Sequence, residues 1–168
     1  MIMRVTSIIG AALVAVLCAV GVAPAAEDMP VGRVEVVLAN EHRARLGEIK
    51  QEFVAAGLAN VHIQIMKAGK PPVNLGLGPK VTVDRAQAAI RLARKYNGGV
   101  TILLPERLFA DHYVAIASSG FDDTVEYPVS EEQLKQLEAP SLTTEQFHEL
   151  YRRFTPADHP PMKKGRVF

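Results

Sequence analysis

The chain has 168 residues, 19 Lys and Arg against 18 Asp and Glu, and a single cysteine, Cys18. A near-neutral balance argues against a general nucleic-acid or acidic-membrane partner, which would need a basic excess. One cysteine excludes an internal disulfide framework, and the length suits one domain plus a processing segment.

The chain opens with Arg4, an uncharged apolar run from Ile8 to Val22, and then Ala23-Pro24-Ala25. This is the pattern of a secretory leader: a positive start, an apolar middle and small residues at a cleavage site. A signal peptide is therefore expected over 1–25, a single α+β domain over 26–155 and a flexible tail over 156–168. The alternative is an uncleaved leader, because an apolar run of this length borders on a short spanning helix. Membrane contact is expected only through that segment. Cys18 lies inside the apolar run, after Leu17, where lipid attachment would need a small residue. Cleavage removes Arg4 and Cys18, leaving 18 basic and 18 acidic residues and no cysteine. An exported, cysteine-free chain of roughly 143 residues can fold on one hydrophobic core, and a periplasmic or secreted location is expected.

Arg33 to Ala39 reads as a first strand. Asn40 is expected to cap a helix from Glu41 to about Ala56, with Leu46, Ile49, Phe53 and Ala56 on its apolar stripe and Gly57 as its stop. Val61, Ile63 and Ile65 alternate with His62, Gln64 and Met66, which predicts a second strand over 61–67. After the turn at Ala68–Pro72, Val73, Leu75 and Leu77 alternate with Asn74 and Gly76 as a third strand. Glycine in a strand marks a bulge or a close approach by another part of the backbone, and Pro79 ends the ladder. Asp84 can cap a helix whose face is Ala86, Ala89, Ile90 and Ala93, stopped by Asn97-Gly98-Gly99. Val100 to Leu104 is a continuous apolar run, as in a strand covered on both faces. Tyr113 to Ala117 reads as a fifth strand. Ser130 with Gln133 and Thr143 with Gln146 are capping-box patterns that open two short helices, to about Leu137 and Phe154. The aromatic face Phe147, Leu150, Tyr151 and Phe154 is read as core, with a docking face as the alternative.

The order through Pro105 is β-α-β-β-α-β. It predicts a ferredoxin-like split βαβ core of the α+β class, with an antiparallel sheet, an extra strand and C-terminal helices. A doubly wound α/β sheet is the second choice.

Chemistry-bearing motifs are few. His42, His62, His112, His148 and His159 show no metal-binding spacing. Asp111-His112 with Ser118 or Ser119 could form a hydrolase triad, but no nucleophile elbow surrounds either serine. Asp122, Asp123 and Glu126 cluster without a calcium-loop pattern. Gly76-Leu77-Gly78 lacks the third glycine of a dinucleotide fingerprint. Arg91 and Lys95 share a helix face, which reads as solvated. No cofactor or metal is expected, and a non-enzymatic protein is favoured over an enzyme.

Val73-x-Leu75 leading to Gly78-Pro79, with Ala86 eight residues after Gly78, resembles the second half of the SPOR pattern. In that pattern a strand ends in Gly-Pro-Phe and a helix starts around a spaced alanine; here Lys80 stands in place of the aromatic. The resemblance covers residues 33–105. It implies a peptidoglycan-binding module of the bacterial cell envelope that holds glycan strands lacking stem peptides on its sheet face. The positions it implies are the outward strand residues Glu35, Gln64, Asn74 and Thr101, with Tyr96 and Tyr113 as aromatic platforms. The expected partner is peptidoglycan or an envelope protein. The alternative functions are a protein–protein docking module acting through the C-terminal helices and a small hydrolase.

Overall fold

The computed structural model describes residues 32–121 and 128–155. The expected leader over 1–25, the Asp122, Asp123 and Glu126 cluster, His159 and the expected tail over 156–168 lie outside these residues. The fold is α+β. Among the described residues the strands are β1 (Val34–Leu38), β2 (Val61–Ile65), β3 (Asn74–Leu77), β4 (Ile102–Leu104) and β5 (Val114–Ile116). The helices are α1 (Leu46–Ala55), α2 (Val83–Asn97), α3 (Glu131–Leu137) and α4 (Thr144–Phe154), with 3-10 turns at Asn40–Arg45 and Glu106–Leu108.

Local signals act largely where the residues place them. Gly57 ends α1 at φ 83° and Gly98 ends α2 at φ 75°, both left-handed positions that favour glycine. Both capping boxes are present: Ser130 with Gln133 on α3, and Thr143 with Gln146 on α4. The two remaining expected caps are corrected. Asn40 does not cap α1. It opens a 3-10 turn, and its side-chain oxygen accepts from Arg43 Nε at 3.0 Å. Asp84 sits inside the first turn of α2 rather than before it. The free Val83 N–H is met from outside the helix, by Thr144 Oγ1 at 3.2 Å.

The strand pairing also differs from the split arrangement. The sheet order is β2-β1-β5-β3-β4. β1 lies beside and parallel to β2, and β3 beside and parallel to β4. Each βαβ unit is therefore contiguous, with nothing inserted between its strands. β5 joins the units, parallel to β1 and antiparallel to β3, so the sheet is mixed rather than antiparallel. The physical reason lies in burial. β5 is wholly apolar and fully buried, which suits the centre of a sheet, whereas β2 alternates buried and exposed residues as an edge strand does.

Side chains alternate across the sheet. One face carries Val34, Val36, Leu38, Leu75, Leu77, Leu103, Val114 and Ile116. These pack with Ile49 and Phe53 of α1, the Ala86, Ala89, Ile90 and Ala93 face of α2, Leu134 and Leu137 of α3, and Phe147 and Tyr151 of α4. The aromatic face of α4 is thus core, with Phe147 and Tyr151 both at 0% exposure. The one Tyr151 hydroxyl proton is shared between the carbonyl oxygens of Leu75 and Leu104, at 2.9 and 2.8 Å, and ties α4 to β3 and β4. α3 is held against α2 by Gln87, whose amide donates to the Leu137 and Ala139 carbonyls, and by Arg94, which pairs with Glu131 and Glu138.

The opposite face is covered over only part of its width. Ile102 and Leu104 pack there with Phe121, Leu108 and Phe109 in a small separate cluster. Val100–Leu104 is therefore covered on both sides at β4, as its unbroken apolar run implies. Over β1, β5 and the adjoining part of β2, the described residues leave a cleft on that face.

Candidate functional site

The cleft on this face of the sheet has a volume of about 650 Å³. Its floor follows from strand alternation and register. Glu35 pairs with Ala115 across to β5, and Val37 with Gln64 across to β2, so these four share the open face. Its wall is the chain from the second 3-10 turn to β5, contributing Leu108, Phe109, Ala110 and Tyr113. Arg33 closes one end, and Ser118, Ser119 and Phe121 form the other.

Gly76 in β3 and Gly78 just after it explain why the wall lies where it does. A Cβ at Gly76 would fall 2.2 Å from Phe109 Cζ, and one at Gly78 would fall 1.8 Å from the Ala110 carbonyl oxygen. Only glycine lets this segment lie flat on the sheet. Backbone hydrogen bonds then fix it: Gly78 N–H to Tyr113 O at 2.8 Å and Lys80 N–H to Asp111 O at 2.7 Å. The Phe109 ring stacks on Tyr113 at 5.7 Å between centroids and leans on Phe121 at 6.3 Å. These rings make a continuous aromatic surface along the cleft.

The polar end is built around Glu35. Arg33 pairs with its carboxylate at 2.6 Å. Burial, and then the neighbouring Glu35 carboxylate, push the Tyr113 phenol well above its ordinary range, so Tyr113 remains a neutral hydroxyl. Because Arg33 and Glu35 offset each other, the cleft offers hydrogen-bonding groups without a net charge. At the far end Ala117 adopts φ 60°, a left-handed conformation that costs a non-glycine residue about 1 kcal/mol. Asn74 holds it there: its Oδ1 accepts from Ser118 N–H at 2.7 Å, and its Nδ2 donates to Ser118 O at 3.0 Å. The turn that presents Ser118 and Ser119 is thus fixed in advance.

Of the six positions that the resemblance implied, Glu35, Gln64 and Tyr113 line the cleft together. Asn74 lies on the same face by register but is 1% exposed, supporting Ser118 from below rather than facing the cleft. Tyr96 is on α2 in the helical layer, where its hydroxyl donates to Glu52 and its ring stacks on Phe53. Thr101 precedes β4, on the opposite parity to Ile102, with its hydroxyl on the Val73 carbonyl at 3.3 Å. Arg33, Phe109 and Phe121 were not singled out from the sequence. The one signal bearing on Phe109 was Gly76, which announces a close approach without naming what approaches.

The alternative triad is not assembled. Asp111 pairs with Lys80 at 2.7 Å, and His112 and the serines lie at opposite ends of β5. At roughly 3.3 Å per extended residue this separates them by on the order of 15 Å. Among the described residues no group of three or more His, Cys, Asp or Glu could hold a metal ion, and no helix is long and apolar enough to cross a membrane. No protein-family model, curated protein or solved structure matches the chain.

Proposed function

We propose that this chain is a non-enzymatic binding module of the bacterial cell envelope whose sheet-face cleft holds a segment of glycan. Peptidoglycan glycan without stem peptides is the ligand that the sequence resemblance suggests. The observation that carries the reading is the convergence of Glu35, Gln64 and Tyr113 on one cleft with the Phe109 and Phe121 rings. Sugars present hydroxyl and amide groups at their edges and apolar C–H faces. Neutral polar side chains and a paired carboxylate suit the first, and aromatic walls suit the second. The reading rests on this chemistry rather than on the resemblance, since the contiguous βαβ units differ from the split arrangement that went with it. A docking role for the C-terminal helices has less support, because the aromatic face of α4 is core.

The test is co-sedimentation of the purified protein with cell-wall sacculi, intact and stripped of stem peptides. Wild type should pellet with the stripped glycan. Glu35→Ala and Phe109→Ala should reduce pelleting about tenfold, as loss of a central contact does. Thr101→Ala, outside the cleft, should leave pelleting unchanged. Absence of pelleting with either preparation, for folded protein, would remove glycan as the ligand.

A further inference from the structure

The wall of the cleft grows out of the 3-10 turn Glu106–Leu108, and the start of that turn is anchored on its far side by α4. His148 Nδ1 lies 2.5 Å from Glu106 Oε1, and its Nε2 lies 2.7 Å from the Val81 carbonyl oxygen. The side chains of His148 and Glu106 are 4% and 8% exposed. A carbonyl oxygen only accepts, so Nε2 carries a proton. Glu106 Oε2 also accepts from Arg152 at 3.1 Å, which favours the ionised carboxylate, so Nδ1 carries a proton as well. The buried ring is therefore an imidazolium spanning two acceptors.

We infer that the buried His148–Glu106 pair is a positioning device for the cleft: it holds the turn from which Leu108, Phe109 and Ala110 extend, and its loss loosens that wall and weakens ligand binding. The effect on binding rests on the cleft being the ligand site; the effect on the wall does not.

The groups facing the pair are few. The turn supplies Glu106, the link between β3 and α2 supplies the Val81 carbonyl, and α4 supplies Arg152, with Glu145 one turn before His148 and Tyr151 near Glu106. Burial alone would lower the His148 pKa, but the Glu106 hydrogen bond, the Val81 carbonyl and the Glu106 charge outweigh it and raise it. Burial alone would raise Glu106, but His148 and then Arg152 outweigh it and hold it low. Removing the proton from His148 leaves one ring donor for two acceptors. It also leaves Arg152, itself largely exposed, as the cation at Glu106 among the described residues. A buried carboxylate in that state is relieved by moving into water, and Glu106 is three residues from Phe109. The distal part of the wall stays bound to the segment after β3 through the Gly78 and Lys80 amides, so the loosening is confined to its start.

The test is amide hydrogen exchange at Leu108 and Phe109, whose N–H groups donate to Pro105 O and Glu106 O. Protection, with intrinsic rates divided out, should fall about tenfold as pH rises from about 6 through the raised folded value of His148, while circular dichroism shows the protein still folded. In His148→Gln it should already be low at the acid end and no longer depend on pH. Glu106→Gln keeps the test open if that variant does not fold. A neutral amide there can donate to Nδ1 while Nε2 donates to Val81, so protection should stay high and independent of pH. Chitotetraose affinity, measured on the same proteins, should weaken severalfold wherever protection is lost. Protection at Leu108 and Phe109 in His148→Gln equal to that of wild type at about pH 6, or the same pH dependence in Glu106→Gln as in wild type, overturns the positioning role whether or not chitotetraose binds. If the exchange pattern holds and wild type binds no chitotetraose at either pH, the positioning role stands and the glycan reading falls.

Discussion

Gly76→Ala is a direct probe of how the cleft is built. The new methyl would lie 2.2 Å from Phe109 Cζ and 2.4 Å from Cε2. Carbon atoms in contact sit about 3.5 Å apart, so the ring must retreat by more than about 1 Å. It has little room to do so, with Tyr113 stacked on it and Phe121 beside it. Crowding of this kind costs about 1–3 kcal/mol. Replacing a strand glycine by alanine would otherwise gain about 0.5–1 kcal/mol through lost unfolded-chain entropy. The clash is the larger effect, and the net expectation is a destabilisation of about 1–2 kcal/mol. In urea this lowers the midpoint by about 0.5–1 M with the slope unchanged. The ring should also be driven into the cleft and obstruct the ligand. In a Phe109→Ala background the clash partner is gone, so the same glycine substitution should cost little, a coupling of about 0.5–3 kcal/mol across the cycle. A Gly76→Ala protein at or above the wild-type midpoint, or one with equal cost in both backgrounds, would refute the proposed packing of the wall on β3.

Tyr151→Phe strips the donor from two buried carbonyls, Leu75 O and Leu104 O, and should cost about 1–3 kcal/mol by urea titration. A loss below about 0.5 kcal/mol would show that other donors replace it. Asn74→Ala removes both bonds that hold Ser118 and should cost about 2 kcal/mol, with amide exchange at Ser118 accelerating before the helices are affected. The His148–Glu106 pair gives stability a defined pH window. Glu106 is held below its ordinary 4.5, so its contribution is complete above that value and is lost as pH falls through the depressed folded value. His148 is held above its ordinary 6.5, so its contribution is complete below that value and is lost as pH rises through the raised folded value. The midpoint gap between wild type and His148→Gln should therefore be widest between 4.5 and 6.5 and narrow on both sides. A gap that widens as pH falls below 4.5 or rises above 6.5 would refute the linkage.

Interactions within a few residues could be read directly from the chain. Period-2 and 3- to 4-residue patterns identify strands and helices because they depend only on which side chains share a face. The glycine stops at Gly57 and Gly98 and the Ser130 and Thr143 capping boxes are closed by neighbours at most three or four residues away. The α+β class and the outward positions of Glu35 and Gln64 follow from the same local regularities. The Asn40 and Asp84 caps failed because a competitor existed: Arg43 took the first side chain, and Thr144, 61 residues away, met the helix end.

Strand neighbours and the cleft belong to tertiary structure. Periodicity cannot decide whether β5 joins an edge or the centre; that choice depends on which faces the helices bury. Gly76 and Gly78 showed that something lies against β3, but any segment with a small cross-section would satisfy them. Only the fold brings Phe109 to one and the Ala110 backbone to the other. His148 read as one histidine among five, and its charge state was set by Glu106, 42 residues away, and by the Val81 carbonyl, 67 residues away. The sequence by itself determined the elements and the faces they expose, because these depend on near neighbours. The tertiary structure alone decided which sheet face carries the cleft and which side chains meet on it, because contact between distant residues is created by folding.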